Sequence, residues 1–286
     1  SPIICVLILI IQRKSQKSAI CTKSRLFKND MDFIALGKQC ISGAMKTLEK
    51  SSVGIIQFKG PTKNIQTEAD LEAEETIVSI LRKSGQNLLI VAEESGITKV
   101  GENPEIEVYI DPVDGSSYFL VGNKRLCSTS LMFVQRGKVL ASFVGDLITG
   151  DMYYCDGEFA YINDQKIVFT TEKKGERYMV ATYAPKGQRI KEELPKLADI
   201  AQEEILVFNN SGPLEQAMIA TGQFDAVVDL LPVDLWDYCG TAIAQKAGSI
   251  VTTREGTPFR YENIQQTCIT ARNSEIHRIL FDALNR

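Results

Sequence analysis
The chain has 286 residues, 44% hydrophobic and 24% charged, with a formal net charge of −4. This is ordinary globular composition, long enough for a large core or two subdomains, and it excludes a disordered or fibrous chain. The mild acidity gives no reason to expect nucleic acid or an anionic membrane as partner. Seven scattered cysteines, an odd count with no CxxC pair, favour reduced thiols in a cytoplasmic protein over a disulfide framework or a zinc site. The one histidine, His277, sits in a helix-like tail away from any nucleophile motif, which argues against a histidine-based triad.

In chain order, PIICVLILII is apolar but ten residues long, too short to span a bilayer. The basic, serine-rich QRKSQKSAICTKSR follows it, whereas a secretory signal places its charge before the apolar run. Residues 1–30 are therefore expected to be an N-terminal extension or a cloning remnant, with an interfacial anchor as the alternative, and the functional protein to begin at Met31. Apolar residues at helical spacing predict an amphipathic helix over 31–50 and another over 68–83, separated by a GPTKN loop. LLIVAEESG reads as a buried strand running into an acidic turn, and IEVYIDPVDG as a second strand ending in a tight turn. Between 127 and 170, short alternating runs separated by RG, TG, DG and ND turns predict antiparallel hairpins. From 178 onward, strands alternate with helices predicted over 188–201, over 214–221, from about Trp236 and from Ser274. Antiparallel sheet first and α/β alternation second predict an α+β half over 31–172 and an α/β half over 173–286 that completes a cleft.

Acids stand at the ends of these elements. Asp111 and Asp114 lie in DPVDG, Glu93 and Glu94 close the preceding strand, and Asp70 and Asp237 open predicted helices. If Glu93, Asp111, Asp114, Asp237 and Asp70 converge, they must protonate or bind a cation, because two carboxylates about 4 Å apart repel by roughly 4 kcal/mol at an effective dielectric near 20. Oxygen-only ligands select hard ions, Mg2+ or Mn2+. Gly115, Ser116 and Ser117 would offer N–H and hydroxyl groups to an anion if a helix begins there. A metal clamp beside an anion cradle suits metal-assisted transfer of a phosphoryl group to water.

The same residues carry a family resemblance. Asp111-Pro112-Val113-Asp114-Gly115-Ser116 matches DPxDG(T/S), and Trp236-Asp237-Tyr238-Cys239-Gly240 matches WDxAG with cysteine at the small position. Ala92-Glu93-Glu94-Ser95 matches GEES with alanine first, and Thr67-Glu68-Ala69-Asp70 matches TxxD. Four motifs in order, from Met31 to the end, resemble the lithium-sensitive, Mg2+-dependent phosphomonoesterases of the inositol monophosphatase and fructose-1,6-bisphosphatase superfamily.

That resemblance implies a layered α-β-α-β-α sandwich of the sugar phosphatase type, an antiparallel sheet in its N-terminal half and a mixed sheet in its C-terminal half. It implies two or three Mg2+ ions, Mn2+ being an alternative. Glu93, Asp111 and the Val113 carbonyl would hold the first, Asp111, Asp114 and Asp237 the second, and Glu93 would share a third. Asp70 and Ser116 would orient and deprotonate the attacking water, with Glu93 also catalytic through its metals. The Gly115 and Ser116 amides would take phosphate oxygens, and Ser211, Gly212 and Asp229 would line the substrate. The stretch from Asp229 to Trp236 is a residue longer than the family pattern, with Pro232 inside it. Lys59 is read as a catalytic-loop lysine or a plain exposed one, Thr67 and Glu94 as support, and Trp236 as core. The substrate would be a small phosphorylated polyol or sugar, inositol monophosphate or fructose 1,6-bisphosphate, the protein a homodimer without nucleic-acid or membrane partners. The alternatives are a bisphosphate nucleotidase, disfavoured by SSYF after the motif glycine; an aspartyl-phosphate enzyme, disfavoured by DxxD spacing; and a non-catalytic module.

Overall fold
The computed structural model describes residues 32–51, 54–59, 64–183, 195, 196, 198, 205–209 and 212–286. The expectations for 1–30 and Met31, for the loop at 60–63, for Ser211 and for most of the helix predicted over 188–201 lie outside the described residues, as does the Lys59 side chain.

Two sixteen-residue helices open the described chain, α1 (Phe33–Leu48) and α2 (Glu68–Lys83). Helix α1 buries Leu36, Cys40, Ile41, Ala44 and Leu48, a stripe at i, i+4 spacing that seats it on a sheet. A capping box starts α2: the Thr67 hydroxyl accepts from the Asp70 N–H while the Asp70 carboxylate accepts from the Thr67 N–H. Before it, β1 (Ile55–Lys59) and β2 (Asn64–Thr67) form an antiparallel pair.

The larger sheet has eight strands: β3 (Leu88–Ala92), β4 (Gly96–Val100), β5 (Ile106–Asp114), β6 (Ser128–Gln135), β7 (Lys138–Asp146), β8 (Met152–Cys155), β9 (Ala160–Ile162) and β10 (Gln165–Lys166). Their spatial order is β10-β9-β8-β7-β6-β5-β3-β4. The run from β6 to β10 is the antiparallel meander predicted from the alternating segments, and β5 extends it by pairing antiparallel with β6. Two features differ from expectation. Strands β3 and β5 are parallel, and GITKV, too short and exposed to show periodicity, pairs back on β3 as β4.

The smaller sheet joins β11 (Tyr178–Tyr183), β12 (Ile205–Asn209), β13 (Ala226–Val233), β14 (Ile250–Thr252) and β15 (Gln266–Ala271) in the order β12-β11-β13-β15-β14. Strand β11 runs parallel to β12 and β13, while β15 is antiparallel to β13 and β14, so this sheet is mixed, as expected. Helices α4 (Pro213–Thr221) and α5 (Cys239–Ala247) pack between the sheets, and α6 (Ser274–Leu284) covers the far face of the smaller one. With α1 and α2 on the outer face of the larger sheet, the order of layers is the α-β-α-β-α sandwich. The central core takes Tyr109, Met132 and Val144 from the larger sheet and Leu214, Ala217, Tyr238 and Ile243 from the helical layer. Among the described residues no helix is long and apolar enough to cross a membrane.

One ion pair ties the start of β13 to the end of β15. Arg272 Nε lies 3.2 Å from Asp225 Oδ1, the two side chains 1% and 6% exposed. The Arg272 Nη groups also donate to the carbonyls of Glu172, Ile219 and Phe224, and Asp225 Oδ2 accepts from the Met179 N–H. Removing one partner leaves the other charge buried. Arg272→Met is expected to lower stability by about 3–5 kcal/mol. Urea unfolding of Arg272→Met beside the Arg272→Met/Asp225→Asn double variant measures this; the double variant should recover part of the loss.

Candidate active site
The parallel pairing of β3 with β5 assembles the site. Ala92 is in register with Ile110, and the Glu93 N–H donates to the Ile110 carbonyl at 3.1 Å. Glu93 and Asp111 therefore leave neighbouring parallel strands at the same level, at their carboxyl ends, where open sheets form binding crevices.

DPVDG is not the tight turn predicted from its proline and glycine. Strand β5 runs through it to Asp114, with a register shift between Asp111, opposite Ser130, and Asp114, opposite Ser128. Three steps on β5 match two on β6, so one residue is extra, a β-bulge. On a regular strand, residues three apart point to opposite faces. The bulge cancels that inversion and puts Asp111 and Asp114 on one side. Pro112 is tolerated because the ladder is already interrupted there.

Gly115 follows with φ +83°, a left-handed turn that costs glycine no steric strain, and α3 (Ser116–Leu120) begins at once. Ser116 Oγ lies 2.7 Å from Asp70 Oδ1 and 2.9 Å from the Val113 carbonyl, one hydroxyl proton between two acceptors. Asp70 is fully buried. Its Oδ2 accepts from the Thr67 N–H at 2.7 Å and the Thr67 hydroxyl at 2.6 Å, which leaves Oδ1 to face Ser116. Thr67 thus aims Asp70, and Asp70 aims Ser116.

Asp237 arrives on a 3₁₀ turn (Leu235–Tyr238) that packs against β5 and β6 and leads into α5. The helix predicted from Trp236 therefore starts as 3₁₀ and becomes α-helical at Cys239. Trp236 packs against the central core, as expected. Gln216 Oε1 accepts from the Thr241 N–H at 3.0 Å, satisfying one of the orphan donors in the first turn of α5.

The electrostatics join these segments. Burial, then Glu93, Asp114, Asp237 and Asp70 push the Asp111 carboxyl well above the usual carboxylate range. Burial, followed by Glu215, Glu93 and Asp229, does the same to Asp114. For Asp237 the causes are burial, then Glu93, Asp114, Asp229 and Asp234. Each of the five carboxylates expected to converge therefore enters one repulsive field, and Asp229, 4% exposed on β13, belongs to it too.

Among the described residues, no three His, Cys, Asp or Glu side chains stand as a ready-made metal-ligand set. The donor chemistry nevertheless fits a hard cation. Asp111 is 1% exposed, and its Oδ1 is buried without a hydrogen-bond partner. An acidic oxygen so placed requires a proton or a metal ion.

The inositol monophosphatase family profile matches residues 29–285. The chain belongs to the inositol monophosphatase family. As a member of that family it is a phosphatase. The chain is 28% identical over 244 residues to the "Fructose-1,6-bisphosphatase/inositol-1-monophosphatase" of Methanothermobacter thermautotrophicus, covering 78% of this chain and 83% of the relative. It is 30% identical over 216 residues to a protein named "Nus factor SuhB" from Vibrio cholerae, covering 74% and 79%. The crystal structure of the extragenic suppressor protein suhB from Bartonella henselae shares the fold, with TM-score 0.78 and 24% identity over 88% of this chain and 98% of that one.

On this inositol monophosphatase fold, Gly212 precedes α4 and abuts Asp114: a Cβ built there would lie 2.1 Å from Asp114 Oδ2. Its backbone is extended, so space rather than conformation demands glycine. Lys59 ends β1, and the Glu94 carboxylate accepts from Gln66 Nε2 in the turn after β3. Sequence reading missed Glu215 and Glu74, both buried acids. Glu215 in the apolar GPLEQAMIA run was the available signal, since a glutamate is almost never fully buried unless it is paired.

Gly212→Ala is expected to drive the Asp114 carboxylate aside while the fold persists. A divalent cation that binds beside Asp114 should raise the melting temperature of the parent, and that rise should shrink or vanish in Gly212→Ala, with a native far-UV spectrum retained.

Proposed function
We propose that this chain is a Mg2+-dependent phosphomonoester hydrolase acting on inositol monophosphate and on fructose 1,6-bisphosphate by direct attack of water. The observation that carries this reading is the buried Asp111 oxygen without a hydrogen-bond partner, inside a field to which Glu93, Asp114, Asp237 and Asp70 all contribute.

In this reading Glu93, Asp111 and the Val113 carbonyl hold one cation, and Asp111, Asp114 and Asp237 a second. Glu93 contributes to a third, weaker site, and Mn2+ can substitute. When bound, the cations neutralise the ester's anionic oxygens, acidify the attacking water and stabilise the leaving alkoxide. The rest falls to the chain. Asp70 Oδ2 is occupied by two donors from Thr67, so Oδ1 is the free acceptor for the Ser116 proton. A water at Ser116 Oγ passes its proton to that hydroxyl as the Ser116 proton moves to Asp70, a relay that needs no histidine. The Gly115 and Ser116 amides receive phosphate oxygens. Gly212 and Asp229 line the polyol, and Thr67 and Glu94 support the site from outside. The dual name of the archaeal relative supports both esters as substrates.

Phosphate release is to be measured from inositol 1-phosphate and fructose 1,6-bisphosphate side by side, with Mg2+, with chelator, and with Asp111→Asn. Release from both should vanish with chelator and fall at least about a hundredfold in the variant. Undiminished release by Asp111→Asn overturns the site. Mg2+ binding with release from neither ester overturns the substrate reading and turns attention to the role for which the Nus factor relatives are named.

A further inference from the structure
Helix α2 carries a second carboxylate that the catalytic reading leaves without a task. Glu74 lies one turn beyond Asp70, so both side chains leave the same face of the helix. It is 3% exposed, among the buried Ala73, Ile77 and Val78. A carboxylate in that position requires donors. It has two: the Glu94 N–H donates to Oε2 and the Ser95 N–H to Oε1, each at 2.9 Å. One side chain thus clamps two successive amides of the acidic turn that follows β3.

The preceding amide is fixed as well, because the Glu93 N–H donates to the Ile110 carbonyl of β5. Three consecutive N–H groups are anchored in this way, the first by the sheet and the next two by Glu74. Gln66 Nε2 donates to the Glu94 carboxylate, and Gln57 Nε2 lies 2.5 Å from Gln66 Oε1, so the turn is also held from the β1–β2 pair. Backbone fixed on both sides of Glu93 sets the direction in which its side chain leaves the chain. That direction points Glu93 into the field shared by Asp111, Asp114 and Asp237.

We propose that Glu74 is a positioning residue for divalent-cation binding: it locks the 93–95 turn so that Glu93 meets the cation without rearrangement. The inference rests on the reading of Glu93 as a ligand. The two-amide clamp demands a carboxylate. Glutamine has one acceptor oxygen and one NH2 group, so it satisfies one amide and sets its own donors against the other. A loosened turn must be ordered by the cation itself, which weakens binding. The proton relay of Asp70 and Ser116 is anchored separately by Thr67 and is left in place.

The test compares the full chain with Glu74→Gln and with Glu75→Gln, the same charge change at the exposed neighbouring position. Mn2+ alone is titrated by electron paramagnetic resonance, without substrate. Its affinity should fall about tenfold in Glu74→Gln, in line with losses of groups that orient metal ligands, and stay at the parent value in Glu75→Gln. The half-saturating Mg2+ concentration for phosphate release should rise by a similar factor, while kcat at saturating Mg2+ stays within about twofold. Parent-like Mn2+ affinity in Glu74→Gln overturns the proposal and leaves the phosphatase reading intact. Lower kcat with unchanged half-saturating Mg2+ overturns it too, since a merely structural role acts that way. A parent chain that binds no Mn2+ removes the metal reading itself and this inference with it. Should Glu74→Gln fail to fold, amide exchange in the parent decides: slow exchange at Glu94 and Ser95 supports the clamp, and exchange at the rate of exposed turns overturns it.

Discussion

Mutual repulsion of carboxylates held in a confined volume is the constraint around which this protein is organised. Asp111, Asp114 and Asp237 are each pushed well above the carboxylate range by burial, and Glu93 acts on all three. Left to themselves such groups separate into water. Here each is fixed by an element that the rest of the core holds in place. The β3–β5 register fixes Glu93 against Asp111, the bulge in β5 turns Asp114 to the same side, and the 3₁₀ turn packed on β5 and β6 delivers Asp237. The stability supplied by the layered core offsets this local cost, the usual trade at sites where a strained or charged arrangement serves function.

Hydrogen bonding divides the acids into two kinds. Asp70 and Glu74, one turn apart on α2, are saturated by donors: Thr67 and Ser116 for the first, two turn amides for the second. Asp111 keeps a buried oxygen with no hydrogen-bond partner. Buried polar atoms are nearly always paired, so an acid left short marks where an ion or proton belongs. The acid-bearing first half of α2 is also a brace. Through two side chains it grips the turn after β3 and the serine that opens α3, the two backbone segments on either side of the acid cluster.

Much of this was legible in the sequence, for physical reasons that can be named. The span of α2 follows from apolar residues at helical spacing, and the β6–β10 meander from alternation and turn residues. The acids could be picked out because they end elements and recur in four motifs. Other features were hidden. The parallel pairing of β3 with β5 depends on which strand edges are free, and no local periodicity records that. The DPVDG segment carries turn residues, yet tertiary pairing with β6 keeps it in the sheet and converts the turn signal into a bulge. Glu74 stayed unnoticed because a glutamate in a helix usually faces water. Only the position of the 93–95 amides shows that this one does not.

The stretch from Asp229 to Val233 shows how such a fold accommodates an interruption within a strand. Asp229 pairs with Cys268 and Val233 with Gln266, so four steps on β13 match two on β15. The irregularity spans Pro232, a residue that cannot donate to the ladder and is best placed where the ladder is broken. The two surplus steps on β13 are taken up in that break. Asp229 remains 4% exposed and still acts on both Asp114 and Asp237. The bulge in β5 aligns two acids by one extra residue; in β13 a third acid of the same field stands just before the irregularity. In both strands a proline sits in the break. Interrupted pairing at the sheet ends is thus what lets rigid strands present carboxylates at spacings that regular β-structure would send to opposite faces.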